Sequence, residues 1–337
     1  TKTDPLLQSE RDYSACALSS SGYCGGSSTS FPGRFRVANI GASGVRDYSM
    51  DEAGNVIPGF PLYNYGPLNY YQRPQERYQA SVFANYDVSD SAEVYAEFAF
   101  MDNSTVAQIA PSGAFGVVTQ VDRTNPLLQV NGGQWFDLLF PAGYAGQTRQ
   151  VTVLRRNVEG GGRRDDLGLT SYRGVVGIRG SFLDDNWNYD VSGQYGTVLF
   201  SETYQNDFSI TRVGRALDVI ADNRAGSPTF GQPVCRSVVN GIDANCVPWN
   251  IWDPNGVSPD ALGYVATPGF QRGDTTQTVV TASLSSDLGN YGLKLPTAKD
   301  GVGVAFGAEY RQEGLDFETD VAFTTGDLAG QGGPTLG

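Results

Sequence analysis

Residues 77–101 read RYQASVFANYDVSDSAEVYAEFAFM, and this stretch decides the fold. Successive side chains of a β-strand point to opposite faces, so alternate residues form one row. In the first arm the apolar row consists of Tyr78, Ala80, Val82, Ala84 and Tyr86. The residues between them are polar, apart from Phe83. A short polar turn at 88–92 follows, and a second arm repeats the pattern, so the stretch predicts a β-hairpin with one apolar and one polar face.

Tyrosines close the apolar row of this hairpin at both ends. Tyr78 and Tyr86 are separated by roughly 26 Å along a strand that rises ~3.3 Å per residue. At a tilt of ~45° this is about 19 Å of height, close to the ~25 Å apolar band of a membrane β-barrel with its aromatic girdles. A soluble β-sandwich also alternates, but charges on one face and tyrosines closing the other favour the barrel.

Two further hairpins show the same pattern. They are predicted at 171–200, with its turn at 183–186, and at 276–310, with its turn at 289–300. Six membrane strands therefore have three short connections, which should share one side of a membrane, and longer connections on the other side. This scheme requires that 149–159 belongs to the second long connection or extends the strand that starts at 171. The predicted fold is an all-β, antiparallel transmembrane barrel segment.

The long connections, 1–76, 104–148 and 201–274, are predicted to be external loops. In the first, only 34–38 alternates like a short strand, and Pro58, Pro61 and Pro67 exclude a central strand. In the third, 213–221 has helical spacing. Tyrosines of the first loop could stack on a sugar or a planar chelate, or could pack the loop and join the outer aromatic girdle. They are Tyr63, Tyr65, Tyr70 and Tyr71.

Composition excludes several functions. The formal net charge is −13, which argues against binding nucleic acid. The chain has no histidine, so Ser-His-Asp and Cys-His nucleophiles and histidine-ligated metal sites are excluded. The sequence contains no run of about 18 apolar residues, so it predicts no transmembrane helix. Four cysteines form two local pairs in glycine- and asparagine-rich segments, which predicts two loop disulfides rather than a zinc site. The pairs are Cys16 with Cys24 and Cys235 with Cys246.

Charged side chains on the polar rows are the candidate lining of a barrel interior. They are Glu93, Glu97, Arg173, Arg179, Glu309 and Arg311. The arginines could contact an anionic solute or pair with the acidic residues of the same interior. Glu93 and Glu97 lie about 13 Å apart along one strand, whereas paired glycosidase carboxylates need about 5–9.5 Å. We therefore predict no enzymatic activity, no catalytic residue, no cofactor and no metal.

Three segments together resemble TonB-dependent outer-membrane receptors. They are NYGPLNYYQRPQERYQASVFANYDVSDSAEVYAEFAF at 64–100, RALDVIADNRAGSPTFGQPVCRSVVNGIDANCVPWNIW at 215–252, and SLSSDLGNYGLKLPTAKDGVGVAFGAEYRQEGLDFETD at 283–320. They cover about a third of the chain. Such receptors have an N-terminal plug domain and a 22-stranded barrel that ends in an aromatic residue. This chain shows neither a plug-like opening nor such an end, so all of 1–337 resembles an internal piece of the barrel.

The resemblance implies energy-coupled uptake of a scarce, large solute across the bacterial outer membrane, such as a ferric siderophore, cobalamin or an oligosaccharide. Implied partners are outer-membrane lipid, the solute, and the inner-membrane energy-coupling complex, which acts through the missing plug. A secreted, soluble all-β carbohydrate-binding or adhesin domain is the alternative. A third hypothesis is a hydrolase that acts through carboxylates alone. Detergent dependence separates the first hypothesis from the other two.

Overall fold

The computed structural model describes residues 26–37 and 46–330, and it is an all-β structure of antiparallel sheets. The strands are β1 Arg34–Val37, β2 Asp47–Met50, β3 Val56–Pro58, β4 Gln75–Ser89, β5 Ala92–Pro111, β6 Gly113–Asp122, β7 Thr148–Arg156, β8 Gly162–Phe182, β9 Trp187–Phe208, β10 Val219–Ala221, β11 Pro233–Cys235, β12 Ala266–Asp287 and β13 Gly303–Thr319. The α-helices are α1 Gln134–Leu139, α2 Ile210–Leu217, α3 Arg236–Val239, α4 Pro259–Val265 and α5 Val321–Thr324. None of the helices in these ranges is both long and apolar enough to cross a membrane.

The three predicted hairpins join into one six-stranded sheet. Its order is β4-β5-β8-β9-β12-β13, and each strand is antiparallel to its neighbours. The short connections lie together at one end, and the long connections leave from the other end. Three strands are longer than their alternation predicts. β5 continues to Pro111, β9 continues to Phe208, and β12 begins at Ala266. In the described part of the chain, the sheet ends at β4 and β13 and does not close on itself.

Strand register places the three apolar rows on the same face. One row of directly opposed residues crosses all six strands: Tyr86, Val94, Ile178, Val191, Ala282 and Ala308. The next row, one residue closer to the turns, is Asp87, Glu93, Arg179, Asp190, Ser283 and Gly307. Because neighbouring rows point to opposite faces, the sheet has an apolar face, called here the outer face, and a polar face, called the inner face.

The long connections fold into a second unit with its own core. This loop domain comprises 26–37, 46–74, 112–161 and 209–265, with the sheet β3-β2-β1-β7-β6, the ribbon β10-β11 and helices α1–α4. The ring of Phe35 lies 4.7 Å from Trp135 and 5.2 Å from Trp252, and all three side chains are buried. These three rings come from three different connections, so their packing holds the three connections together.

The prediction that residues 1–76 form one external loop is wrong for the described part, which contains β1, β2 and β3. These strands have only three or four residues, too few to show a reliable period. The predicted strand at 34–38 is confirmed as β1. Pro58 ends β3, which is an edge strand, so no ladder hydrogen bond in the sheet interior is lost. The segment 149–159 contributes β7 to the loop domain, as the connection scheme required.

The other two long connections also contain regular structure that the sequence reading did not predict. Residues 113–122 form β6, a 3₁₀ segment spans Pro126–Gly133, and α1 follows it. The predicted helix at 213–221 is shifted, because α2 spans Ile210–Leu217 and 219–221 is strand β10. The Ser209 side chain accepts a hydrogen bond from the Arg212 N–H, which fixes the start of α2 at Ile210, three residues before the predicted start.

A disulfide joins Cys235 and Cys246, as predicted, and ties the end of β11 to the loop that follows α3. Both cysteines lie in the core of the loop domain. The other predicted pair, Cys16 and Cys24, lies outside the described residues.

Buried polar contacts fix the loop domain to the sheet where β5 passes into β6. The buried Asp207 carboxylate accepts hydrogen bonds from the Ser112 hydroxyl and from the Gly330 N–H. The Arg156 guanidinium donates to the Pro111 carbonyl at 2.7 Å. Burial, together with the nearby Arg163, lowers the pKa of Arg156 to about 10. Arg156 therefore stays protonated at neutral pH and keeps this junction hydrogen-bonded.

Candidate functional site

Large apolar side chains on the outer face are exposed to the surroundings. The exposed fraction is 62% for Val82, 63% for Val176 and 62% for Phe306, on three different strands. A soluble monomer rarely exposes one contiguous apolar patch larger than a few hundred Å². An apolar face of this extent, with such residues on most of its six strands, is typical of a surface that contacts another protein or a membrane.

Tyrosines mark the edge of this apolar surface on the side of the loop domain, and the edge is diagonal. Tyr310 on β13 lies in the same register row as Ala84 on β4, whereas the β4 edge is Tyr78, six residues away. Tyr172 and Tyr195 occupy intermediate rows on β8 and β9. With ~3.3 Å per residue and ~4.8 Å per strand, six residues over five strand steps give an angle of about 40°. Strands of membrane barrels tilt by about 35–45°.

Beyond the tyrosines, the same face becomes polar. The register row of Tyr78 continues as Asp102, Thr170, Leu199, Asp274 and Asp316. The Thr170 hydroxyl donates to Asp102 at 2.6 Å. Towards the turns, the apolar surface ends at further aromatic residues, where the Phe182 ring is stacked on Trp187. The outer face therefore carries an apolar belt between two aromatic borders, and we call it the belt.

The six predicted interior residues all lie on the inner face and are brought together by register. Glu93 is directly opposite Arg179, and their side chains form two hydrogen bonds, of 2.9 and 3.3 Å. The Arg179 guanidinium lies 5.2 Å from the Tyr95 ring, whose hydroxyl donates to Asp190 at 2.8 Å. Glu93, Arg179 and Asp190 line a concavity of about 460 Å³ near the turns.

The other four predicted residues belong to a continuous chain of hydrogen bonds across five strands. The chain is Glu97, Arg173, Gln194, Gln277, Glu313, Arg311 and Glu309, and we call it the polar ladder. Arg173 donates to Glu97 at 3.5 Å and to Gln194 at 2.9 Å. The Gln194 amide donates to Gln277 at 2.9 Å, and Gln277 donates to Glu313 at 3.0 Å. Every link joins neighbouring strands up to Glu313, so the ladder crosses the inner face from β5 to β13.

The polar ladder forms part of the lining of a concavity of about 600 Å³ on the inner face. Four ladder members line it: Arg173, Gln194, Gln277 and Glu313. Val198 and Leu315 add apolar surface on one side, and Leu315 is 74% exposed. Hydrogen-bonding groups beside apolar surface in a volume of this size are typical of a small-molecule site.

Three members of this site were not singled out from the sequence: Gln194, Gln277 and Glu313. Alternation assigns Gln194 and Gln277 to the polar rows, but it does not say which residues of neighbouring strands are opposite each other. Gln277 is directly opposite Glu313, and Gln194 lies two rows from Gln277 on the same face, so the ladder follows from the register.

The four tyrosines proposed as solute contacts have different surroundings. Tyr63 pairs with Ser27 through backbone hydrogen bonds and lies 5.6 Å from the Arg156 guanidinium. Burial raises the pKa of Tyr63. Tyr65 is half-buried, whereas Tyr70 and Tyr71 are exposed, Tyr71 by 97%. Tyr63 therefore packs the loop domain, and Tyr70 and Tyr71 lie on its surface close to the start of β4.

No protein-family model matches the chain. A search of curated proteins likewise finds no match.

Proposed function

We propose that the six-stranded sheet is a segment of the transmembrane β-barrel of a TonB-dependent outer-membrane receptor. The belt is the observation that carries this proposal. It is apolar across all six strands, ends in aromatic residues at both borders, and runs diagonally at an angle typical of barrel strands. In lipid, every backbone polar group needs a partner, so β4 and β13 would pair with further strands of a 22-stranded barrel. Where the chain is produced alone, as in the experiments below, β4 of one copy would pair with the antiparallel β13 of another copy.

The two faces of the sheet would have different roles. Lipid acyl chains would cover the belt, and the inner face would line a polar passage through the membrane. The short turns would lie on the periplasmic side. The loop domain would lie outside the cell, where Tyr70 and Tyr71 remain available to a solute. The chain would do no covalent chemistry. Transport would be powered by the inner-membrane energy-coupling complex, acting on a plug domain beyond these 337 residues.

Membrane fractionation tests the proposal. The full chain, expressed with a secretion signal, should appear in the outer-membrane fraction and should need detergent for extraction. After extraction it should precipitate when the detergent is removed, because the belt would then face water. A chain that is monomeric and soluble without detergent would contradict the proposal and support the secreted carbohydrate-binding or adhesin domain.

Two neighbouring residues of β4 provide a matched pair of variants. Ala84 belongs to the belt and Asn85 to the inner face, so the same substitution meets lipid at one position and the polar face at the other. We expect Ala84→Arg to weaken membrane insertion by about 2–4 kcal/mol, as arginine does near the bilayer midplane. Asn85→Arg should insert almost as well as the unchanged chain. Equal effects of both substitutions would contradict a lipid-covered belt.

A further inference from the structure

The charge of the inner face selects the solute. We infer, on the basis of the proposed function, that the concavity above the polar ladder binds an uncharged, polyhydroxylated solute and that the inner face disfavours polyanions. Ferric siderophores, cobalamin and oligosaccharides differ in charge and in hydroxyl content, so the charge of the inner face discriminates among them.

Each inner-face arginine beside the concavities is already paired with a carboxylate. Arg173 contacts Glu97, and Arg179 contacts Glu93. Arg311 contacts Glu309 at 3.0 Å and Glu313 at 3.4 Å. An incoming carboxylate, phosphate or anionic iron chelate would have to displace these partners. A displaced carboxylate would then repel the anion from close range, since like charges a few ångströms apart repel each other more strongly near a protein surface than in bulk water.

Acidic groups outnumber basic groups on this part of the inner face. Between the row of Ser81 and the row of Asp87, the acidic residues are Asp87, Glu93, Glu97, Asp190, Glu309 and Glu313, and the basic residues are Arg173, Arg179 and Arg311. Six carboxylates against three guanidiniums leave a formal charge of −3 in these rows. A surface lined by one sign of net charge lowers the local concentration of ligands with the same sign.

The remaining chemistry of the concavity suits hydroxyl groups. Gln194, Gln277 and Thr275 offer neutral donors and acceptors within one lining, and a hydroxyl can donate to and accept from such groups at once. Val198 and Leu315 supply apolar surface for the C–H faces of a sugar ring. A multiply charged cation would find no concentrated acidic site, because five of the six carboxylates contact an arginine or, in the case of Asp190, a tyrosine hydroxyl.

Calorimetry on the full chain in zwitterionic detergent micelles tests the class of solute. The probes are neutral hexasaccharides of α-glucan, β-glucan, β-mannan and β-xylan, with hexagalacturonate as the anion of equal length and spermine as the cation. At least one neutral probe should bind, and hexagalacturonate should bind at least tenfold more weakly than the best of them. Binding of none of the four neutral probes, or tighter binding of hexagalacturonate or spermine, would overturn the inference.

Matched substitutions locate the site. Gln277→Leu removes the centre of the polar ladder and should weaken binding of the neutral probe at least tenfold. Gln79→Leu is the control, because Gln79 is exposed on the same face of β4 and does not line the concavity. It should leave binding unchanged within twofold. Equal losses in both variants, or no loss in either, would contradict the assignment of the site.

A charge-neutralising variant separates electrostatics from shape. Glu97→Gln together with Glu313→Gln leaves the side-chain size almost unchanged and frees Arg173 from its carboxylate. Hexagalacturonate should then bind at least tenfold more tightly than to the unchanged chain, with a gain that shrinks as salt is added. An unchanged affinity would overturn the charge argument. Outer-membrane fractionation is independent of all these results, so a failed solute inference is distinguishable from a failed membrane proposal.

Discussion

The six-stranded sheet and the loop domain use the same kinds of apolar residue in opposite ways. In the loop domain the large rings are buried, and Trp135 is only 1% exposed. On the outer face of the sheet they are exposed, and Phe306 is 62% exposed. The loop domain excludes water from its apolar residues by packing them on one another. The sheet leaves them on its surface, where a soluble monomer rarely keeps an apolar patch of this extent.

The difference also appears in the length of the strands. The six strands of the sheet contain between 15 and 22 residues, whereas β1, β2 and β3 contain only three or four. Strands of 15 to 22 residues can cross a membrane and extend beyond both of its surfaces. Short strands depend on neighbours that come from distant parts of the chain. We therefore expect substitutions to act on the two regions separately, and the following predictions begin with the largest effect.

Removing one central ring should destabilise the loop domain strongly. Trp135 contacts Phe35 at 4.7 Å and Trp252 at 5.3 Å, so Trp135→Ala should cost about 3–5 kcal/mol in the free energy of unfolding of this domain. Phe306→Ala is the control on the belt. It shares no contact with this core and should change the same transition by less than about 0.5 kcal/mol. Urea unfolding followed by tryptophan fluorescence measures both, and similar losses would contradict the independence of the two regions.

Loss of the disulfide should have the next largest effect and should remain local. The bridge between Cys235 and Cys246 closes a loop with a sequence separation of 11, and such bridges typically contribute about 2–4 kcal/mol. Replacing both cysteines by alanine should therefore expose residues 236–265 to thermolysin, as mapped by mass spectrometry. Cleavage within β8 or β9 should not increase. Faster cleavage in the sheet would show that the sheet depends on the folded loop domain.

The smallest predicted effect concerns Tyr264, whose hydroxyl donates to Asp243 at 2.7 Å in the loop domain. Burial and the Asp243 carboxylate raise the pKa of Tyr264 to about 12. A tyrosine in the unfolded chain titrates near pH 10, so this interaction stabilises fully below about pH 10 and is lost as the pH rises towards about 12. Tyr264→Phe should therefore cost about 1–2 kcal/mol at pH 8.

Urea unfolding between pH 8 and pH 12 measures this effect. The difference between the unchanged chain and Tyr264→Phe should shrink as the pH rises through the range from about 10 to about 12. A difference that grows with pH would mean that the folded protein favours the ionised phenol, contrary to the burial of Tyr264 beside a carboxylate.

The sheet was predictable from the sequence because its information is local. Alternation within 77–101 gives both faces of a hairpin, and its short turn gives the pairing. The loop domain was not predictable in this way. Phe35, Trp135 and Trp252 are separated by about a hundred residues each, and no local period relates one to the next. Their contact exists only once three connections have folded together.

The candidate site was predictable in part for the same reason. Alternation placed Glu97, Arg173 and Arg311 on the polar face correctly. It could not show that Gln277 lies between Gln194 and Glu313, because the register between strands depends on how far each hairpin is shifted relative to the next. That shift also produces the diagonal edge of the belt, so both the polar ladder and the belt depend on it.

The diagonal edge can be measured by nitroxide labels at three positions of the chain reconstituted in lipid vesicles. Membrane depth follows from the ratio of accessibility to oxygen and to a water-soluble nickel complex. Tyr78 and Tyr310 lie six register rows apart, whereas Ala84 and Tyr310 share a row. A sheet tilted by about 40° in a bilayer places labels at 78 and 310 at equal, shallow depth and the label at 84 deeper. Equal accessibility of 84 and 310 to both reagents, or full exposure of all three to water, would contradict a membrane-spanning sheet.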